Sequence, residues 1–165
     1  MASAYKTYWD AYGGISALLN SRYFQLSGIF MVFVPQMWGA KGADGKFAWT
    51  ETALSVVPSM LGFSLGAMAI LLAIGPSTFL KLAQNGGRNS FYMAAIAAFF
   101  HFMLVQIACI FLAIVVKAWP VVIFSALGYF AFTYSIACGL AAAAALVDLA
   151  EIKTDADLFD SENNE

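Results

Sequence analysis

Three stretches of this chain carry no Asp, Glu, Lys or Arg: Thr52–Leu80, Asn89–Val116 and Ala118–Val147, of 29, 28 and 30 residues. A helix needs about 20 mostly apolar residues to cross a bilayer, so each run is long enough to span. In lipid every backbone N–H and C=O must find its partner within the protein, which leaves helices or closed barrels. The alternation of a barrel strand is absent, and the runs predict helices. A fourth uncharged run, Tyr23–Ala40, has 18 residues with Gln25, Pro35 and Gln36 inside it. Its apolar centre, Phe24, Leu26 and Ile29–Val34, predicts one more span.

The composition agrees. The chain is 62% hydrophobic and 11% charged, against about 45–50% and 25% in ordinary soluble domains. The expected fold is an all-α integral membrane protein with four transmembrane helices and an N-terminal interfacial amphipathic helix. Its expected parts are that interfacial helix over 1–21, a four-helix bundle over 22–150 and an acidic cytoplasmic tail over 151–165. The N-terminus has Lys6 but no apolar core after it, unlike a secretory signal. Tyr5, Trp9, Tyr12 and Leu19 recur at near-helical spacing, and Tyr and Trp favour the headgroup zone. Gly13-Gly14 and Asn20-Ser21-Arg22 predict breaks before the first span.

Basic residues set orientation. With four spans, Lys6, Arg22, Lys81, Arg88 and Lys153 share a side, and Lys41, Lys46 and Lys117 share the other. That predicts both termini in the cytoplasm. Thr50 is the expected N-cap of the second span, with Glu51 near its positive end. The loop "PSTFLKLAQNGG" is expected to hold a short amphipathic turn, and Pro120 to open the last helix. Helix is expected to continue through Asp148–Lys153 before a solvated tail, which offers a basic soluble partner Leu158 and Phe159 as anchors.

In the second span Ser55, Ser59, Gly62, Gly66, Ala69 and Ala73 follow one another in alternating steps of four and three. This is the heptad rhythm of a left-handed helix seam, and every residue on it is small. Small residues let membrane helices approach closely, which replaces the missing hydrophobic drive between them. The seam packs against another helix of the same chain, or forms a homo-oligomer contact or pore lining. Pro58 beside it removes a backbone hydrogen bond and predicts a kink.

Within the spans the notable polar residues are His101, Gln106, Ser125, Tyr129 and Thr133. The 14 Leu, Ile, Val and Phe residues between Phe91 and Val116 favour insertion by about 4–8 kcal/mol, so the third span carries a histidine easily. His101 and Gln106 stand about 140° apart around a helix and serve different neighbours unless one buried face is wide. Both read as interhelical hydrogen-bonding groups, or as a proton or ion path and pH-sensitive control point. In the last helix Ser125, Tyr129, Thr133 and Ser135 are candidate partners; the first three step by four and share a side, where they answer His101 or line a narrow polar path. Cys109 and Cys138 fall inside spans and read as small buried residues rather than a disulfide.

Neither a metal-binding set nor a phosphate loop nor a nucleophile elbow occurs, so neither enzymatic chemistry nor a cofactor is expected. Scattered basic residues argue against nucleic acid. "PSMLGFSLGAMAILLAIG" and "FFHFMLVQ" resemble segments of small bacterial inner-membrane proteins, which implies that location. The function expected is a self-associating membrane protein, a channel or pore or the membrane subunit of a larger effector complex. The alternatives are an anchor or assembly factor with an acidic docking tail, and a small transporter. The expected partners are membrane lipid, further copies of the chain and a soluble cytoplasmic protein.

Overall fold

The computed structural model describes residues 6, 8–10, 12–73 and 91–162. All regular structure among them is helical. A short arm, helical at residues 6, 8–10 and 12, precedes α1 (Gly14–Asn20), α2 (Arg22–Phe33), α3 (Pro35–Gly39), α4 (Trp49–Ala73), α5 (Phe91–Ala118) and α6 (Val122–Glu162). The helices α4, α5 and α6 are each long and apolar enough to cross a membrane. The loop holding "PSTFLKLAQNGG" lies outside the described residues.

Both expected N-terminal breaks are present. Gly13 and Gly14 take φ of 92° and 71°, a left-handed conformation that glycine adopts without steric cost. Ser21 is extended between α1 and α2. The run Tyr23–Ala40 is not one helix. It divides at Val34 into α2 and α3, and α2 rises only about 18 Å against a hydrocarbon core of about 30 Å. Pro35 is the cause, because it lacks the N–H that would bond the Met31 carbonyl. The Trp38 indole Nε1 donates to that same carbonyl at 2.9 Å, so the broken turn leaves no orphaned acceptor there.

Among the described residues the long helices pack mainly in the order α4, α5, α6, α2, and α4 also meets α6 directly at Trp49. The helix α5 lies between α4 and α6, and α6 lies between α5 and α2. In their most apolar 18-residue windows, 44% of α5 but only 17% of α4 is buried. At one end Lys117 Nζ lies 3.4 Å from Glu51 Oε1, which places the start of α4 beside the end of α5. Both side chains are exposed, so the pair marks geometry more than it stabilises.

Three helix ends differ from expectation. The first helical residue of α4 is Trp49, and Thr50 is not its N-cap. The Thr50 hydroxyl, already one residue inside the helix, donates backward to the Phe47 carbonyl at 2.8 Å. Pro120 precedes α6, whose first residue is Val122; the Ser125 N–H bonds the Val121 carbonyl. The same helix runs to Glu162, beyond Lys153, where the sequence suggests that it ends.

Candidate functional site

His101 lies on α5 about 15 Å along the axis from Phe91 and is buried. Its Nδ1 is 2.7 Å from the Tyr8 hydroxyl and its Nε2 is 2.8 Å from the Tyr134 hydroxyl. A neutral imidazole has one donor and one acceptor nitrogen. One phenol therefore donates to the ring and the other accepts from it, and either tautomer satisfies both bonds. The Tyr12 ring stacks on the imidazole with centroids 4.2 Å apart, and its hydroxyl is 3.5 Å from that of Tyr134. Trp9 stacks in turn on Tyr12, and Tyr8 meets Phe100 edge-on.

This clasp ties the N-terminal arm to α5 and α6. The left-handed Gly13-Gly14 pair separates the arm from α1. Tyr8 and Tyr12 face inward onto α5 and α6, where a helix lying in the headgroup zone would present them to the interface. Chemically the clasp is a chain of protic groups, Tyr8–His101–Tyr134, with Tyr12 alongside.

Gln106 faces elsewhere, as the 140° offset requires. It is fully buried and pairs with Ser64 of α4. The Ser64 hydroxyl donates to the Met60 carbonyl at 2.7 Å and accepts from Gln106 Nε2 at 3.3 Å. Serving two neighbours from two faces is possible because α5 packs against α4 on one side and α6 on the other.

Of the four candidate partners on α6, none binds His101; the Ser135 hydroxyl donates to the Phe132 carbonyl of its own helix at 2.8 Å. The Ser125 hydroxyl meets the Trp49 indole Nε1 at 2.9 Å. Tyr129 packs edge-on to the Trp49 ring. The Thr133 hydroxyl donates back to its own helix, at the Phe130 and Tyr129 carbonyls. The partners of His101, Tyr134 and Tyr8, were not among the residues singled out from the sequence. Tyr134 lies one position beyond the i, i+4, i+8 series that drew attention to Thr133. Cys109 and Cys138 are free and buried, and the described residues hold no cluster suited to a metal.

Close glycine packing occurs on α6, not α4. A Cβ on Gly128 would lie 2.5 Å from Trp49 Cη2 and 2.9 Å from Cζ2, and one on Gly139 would lie 3.2 Å from Phe102 Cζ. Around Gly62 and Gly66 there is nothing within 4 Å of such an atom. All six positions of the small seam, Ser55, Ser59, Gly62, Gly66, Ala69 and Ala73, are exposed. The helix α4 instead packs inward through Ala53, Val57, Met60, Ser64, Ala67 and Leu71. This second heptad series is offset by two residues, about 200° around the axis. Pro58 is exposed, and α4 runs through it without interruption.

The Ser59 end of the small seam borders an apolar groove of about 560 Å³ between α4 and α6. Met60 and Phe63 form one wall, Ile136 and Leu140 the other, and Phe99 and Phe102 of α5 the floor. Comparison with protein-family models, with curated proteins and with solved structures finds no match to this chain.

Proposed function

We propose that this chain is a four-span membrane protein that associates with further copies of itself through the small seam of α4. The observation that carries the reading is the exposure of all six seam positions, with open space at Gly62 and Gly66. Large apolar side chains suffice where a helix meets only lipid, whereas a small-residue heptad face suits close helix contact. The segmented run α2–α3 serves as the fourth span, its break sealed by the Trp38 indole. Among the described residues buried hydroxyls and amides pair inside the chain, so a conducting path would run between copies, consistent with an oligomeric channel or the membrane subunit of a larger complex. Native mass spectrometry in mild detergent is the test. The wild-type protein is expected as a discrete oligomer and Gly66→Leu as a smaller species. A folded wild-type monomer would overturn the proposal.

A second reading has its own support. The helix α6 continues past Val147, the last residue of its uncharged run, to Glu162. An acidic helical projection fits an anchor that recruits a soluble partner. Complementation of a deletion strain by a chain truncated after Asp148 tests it, and full complementation would refute it.

A further inference from the structure

The socket that receives the N-terminal arm is shaped by the long helices. The His101–Tyr134 bond joins α5 to α6 at 2.8 Å, and these two helices share the most extensive packing among the described residues. Phe24 of α2 meets Tyr134 edge-on at 5.4 Å between centroids, and Phe130 stacks on it. Phe100 stands beside the imidazole as an aromatic wall. Tyr8 fills this socket with one ring and one hydroxyl: the ring meets Phe100 edge-on at 4.9 Å, and the oxygen lies 2.7 Å from His101 Nδ1.

The arm is joined to α1 by the left-handed Gly13-Gly14 pair, and glycine reaches other backbone regions without steric cost. A helical segment this short is not stable away from the helices it packs on. Tyr8 and Tyr12 both rest on His101 and stand one turn apart, so a swing at the glycine pair withdraws both rings together. Lys6 and Asp10 are exposed and do not hold the arm by burial. The His101–Tyr134 pair stays behind, with Nδ1 in need of a new partner.

Depth decides what that partner is. Lys117 marks one membrane boundary, and His101 is 16 residues from it, about 24 Å along the helix. In a hydrocarbon core about 30 Å thick, the imidazole then lies about 6 Å beneath the opposite headgroups. Water is scarce there, and a buried nitrogen without a hydrogen bond is costly. Rings with one polar edge concentrate at this level, as Tyr and Trp side chains do. The groups that touch the imidazole, Tyr8, Tyr12 and Tyr134, include neither a carboxylate nor a cation, which favours a neutral ligand.

We propose that this socket binds a neutral hydroxyaromatic compound dissolved in the membrane, a phenol or hydroquinone ring with an apolar tail. Its ring takes the place of Tyr8 against Phe100, its hydroxyl bonds His101 Nδ1, and the arm is released at Gly13-Gly14. Tyr8 is thus a tethered occupant with which the ligand competes.

The test uses the full-length protein in nanodiscs with 4-hexylphenol as the probe and hexylbenzene, which lacks the hydroxyl, as the control. At equal bilayer concentration the phenol is expected to accelerate proteolysis near Gly13-Gly14 by at least about fivefold, to saturation, while hexylbenzene leaves the rate unchanged. Tyr8→Ala removes the tethered competitor and is expected to bind radiolabelled 4-hexylphenol at least about tenfold tighter than the wild type. Tyr8→Phe keeps the ring and loses the bond to His101; an expected gain of about fivefold preserves the comparison if Tyr8→Ala does not fold. In the Tyr8→Phe background, His101→Phe is expected to abolish the preference for the phenol over hexylbenzene. Equal action of the two compounds overturns the proposal, as does phenol binding that leaves the cleavage rate unchanged. An affinity that neither Tyr8 variant raises refutes the competition. A phenol effect undiminished by His101→Phe arises from the bilayer and refutes the site.

Discussion

Replacing Gly128 with alanine tests the packing of α6 against α4 at its tightest point. The new Cβ would sit 2.5 Å from Trp49 Cη2, where carbon atoms prefer at least about 3.5 Å, so the indole must move by about 1 Å. It is poorly placed to do so. Trp49 is fully buried, its Nε1 bonds Ser125, and its ring packs against Tyr129 and Phe132. Overpacking costs about 1–3 kcal/mol, and a strained Trp49–Ser125 bond adds about 0.5–1.5 kcal/mol. Alanine returns up to about 1 kcal/mol of helix propensity. The expected net loss is about 1–3 kcal/mol, read as a lower denaturant midpoint of the protein in detergent. Gly62→Ala and Gly66→Ala meet no atom and are expected to be neutral or slightly stabilising in the monomer. Trp49→Phe, which removes the part of the ring facing Gly128, is expected to suppress most of the Gly128→Ala defect in a double-mutant cycle. A neutral Gly128→Ala beside a costly Gly62→Ala would refute this account of which glycines carry packing.

Two other substitutions probe the clasp and the broken helix. Tyr8→Phe keeps the ring against Phe100 and removes the bond to His101; a loss of about 1 kcal/mol raises the open population of the arm roughly fivefold, measured as faster proteolysis near Gly13-Gly14. An unchanged rate would mean that the bond does not hold the arm. Trp38→Phe strands the Met31 carbonyl at a cost of about 1–3 kcal/mol, and Pro35→Ala in the same background is expected to recover most of it by restoring a backbone donor. Equal instability of the single and double variants in thermal unfolding would contradict the proposed hydrogen-bond replacement.

The membrane-compatible helices were readable because uncharged length is a coarse signal that packing cannot override. The breaks at Gly13-Gly14 and Ser21 were readable too, from local backbone chemistry. The working face of α4 was not. That helix carries two heptad series two residues apart, one small and one mixed, and both satisfy the geometry of a seam. Only the positions of α5 and α6 show that the mixed series packs inward. Gly128 was overlooked for a related reason: its significance comes from Trp49, 79 positions earlier in the chain, and no local pattern records that contact. His101 was legible as a buried polar group, but one of its partners comes from an arm whose aromatic spacing equally suits a headgroup surface. The division of Tyr23–Ala40 was foreshadowed by Pro35, whereas the Trp38 bond that makes it tolerable depends on the folded turn.

Among the described residues the two outermost helices, α4 and α2, present unlike edges. The α4 edge carries the small seam; the α2 edge carries large exposed side chains, among them Ile29, Val32 and Phe33. If α4 meets α4 of another copy, the same patch is used on both sides and assembly closes at two. If α4 meets α2 of the next copy, each addition leaves one edge of each kind, and growth stops only when the row curves round into a ring. The order in which α4, α5, α6 and α2 stand thus links the number of copies to the choice of edge. A count of two assigns the seam to itself, and a larger closed count assigns it to α2.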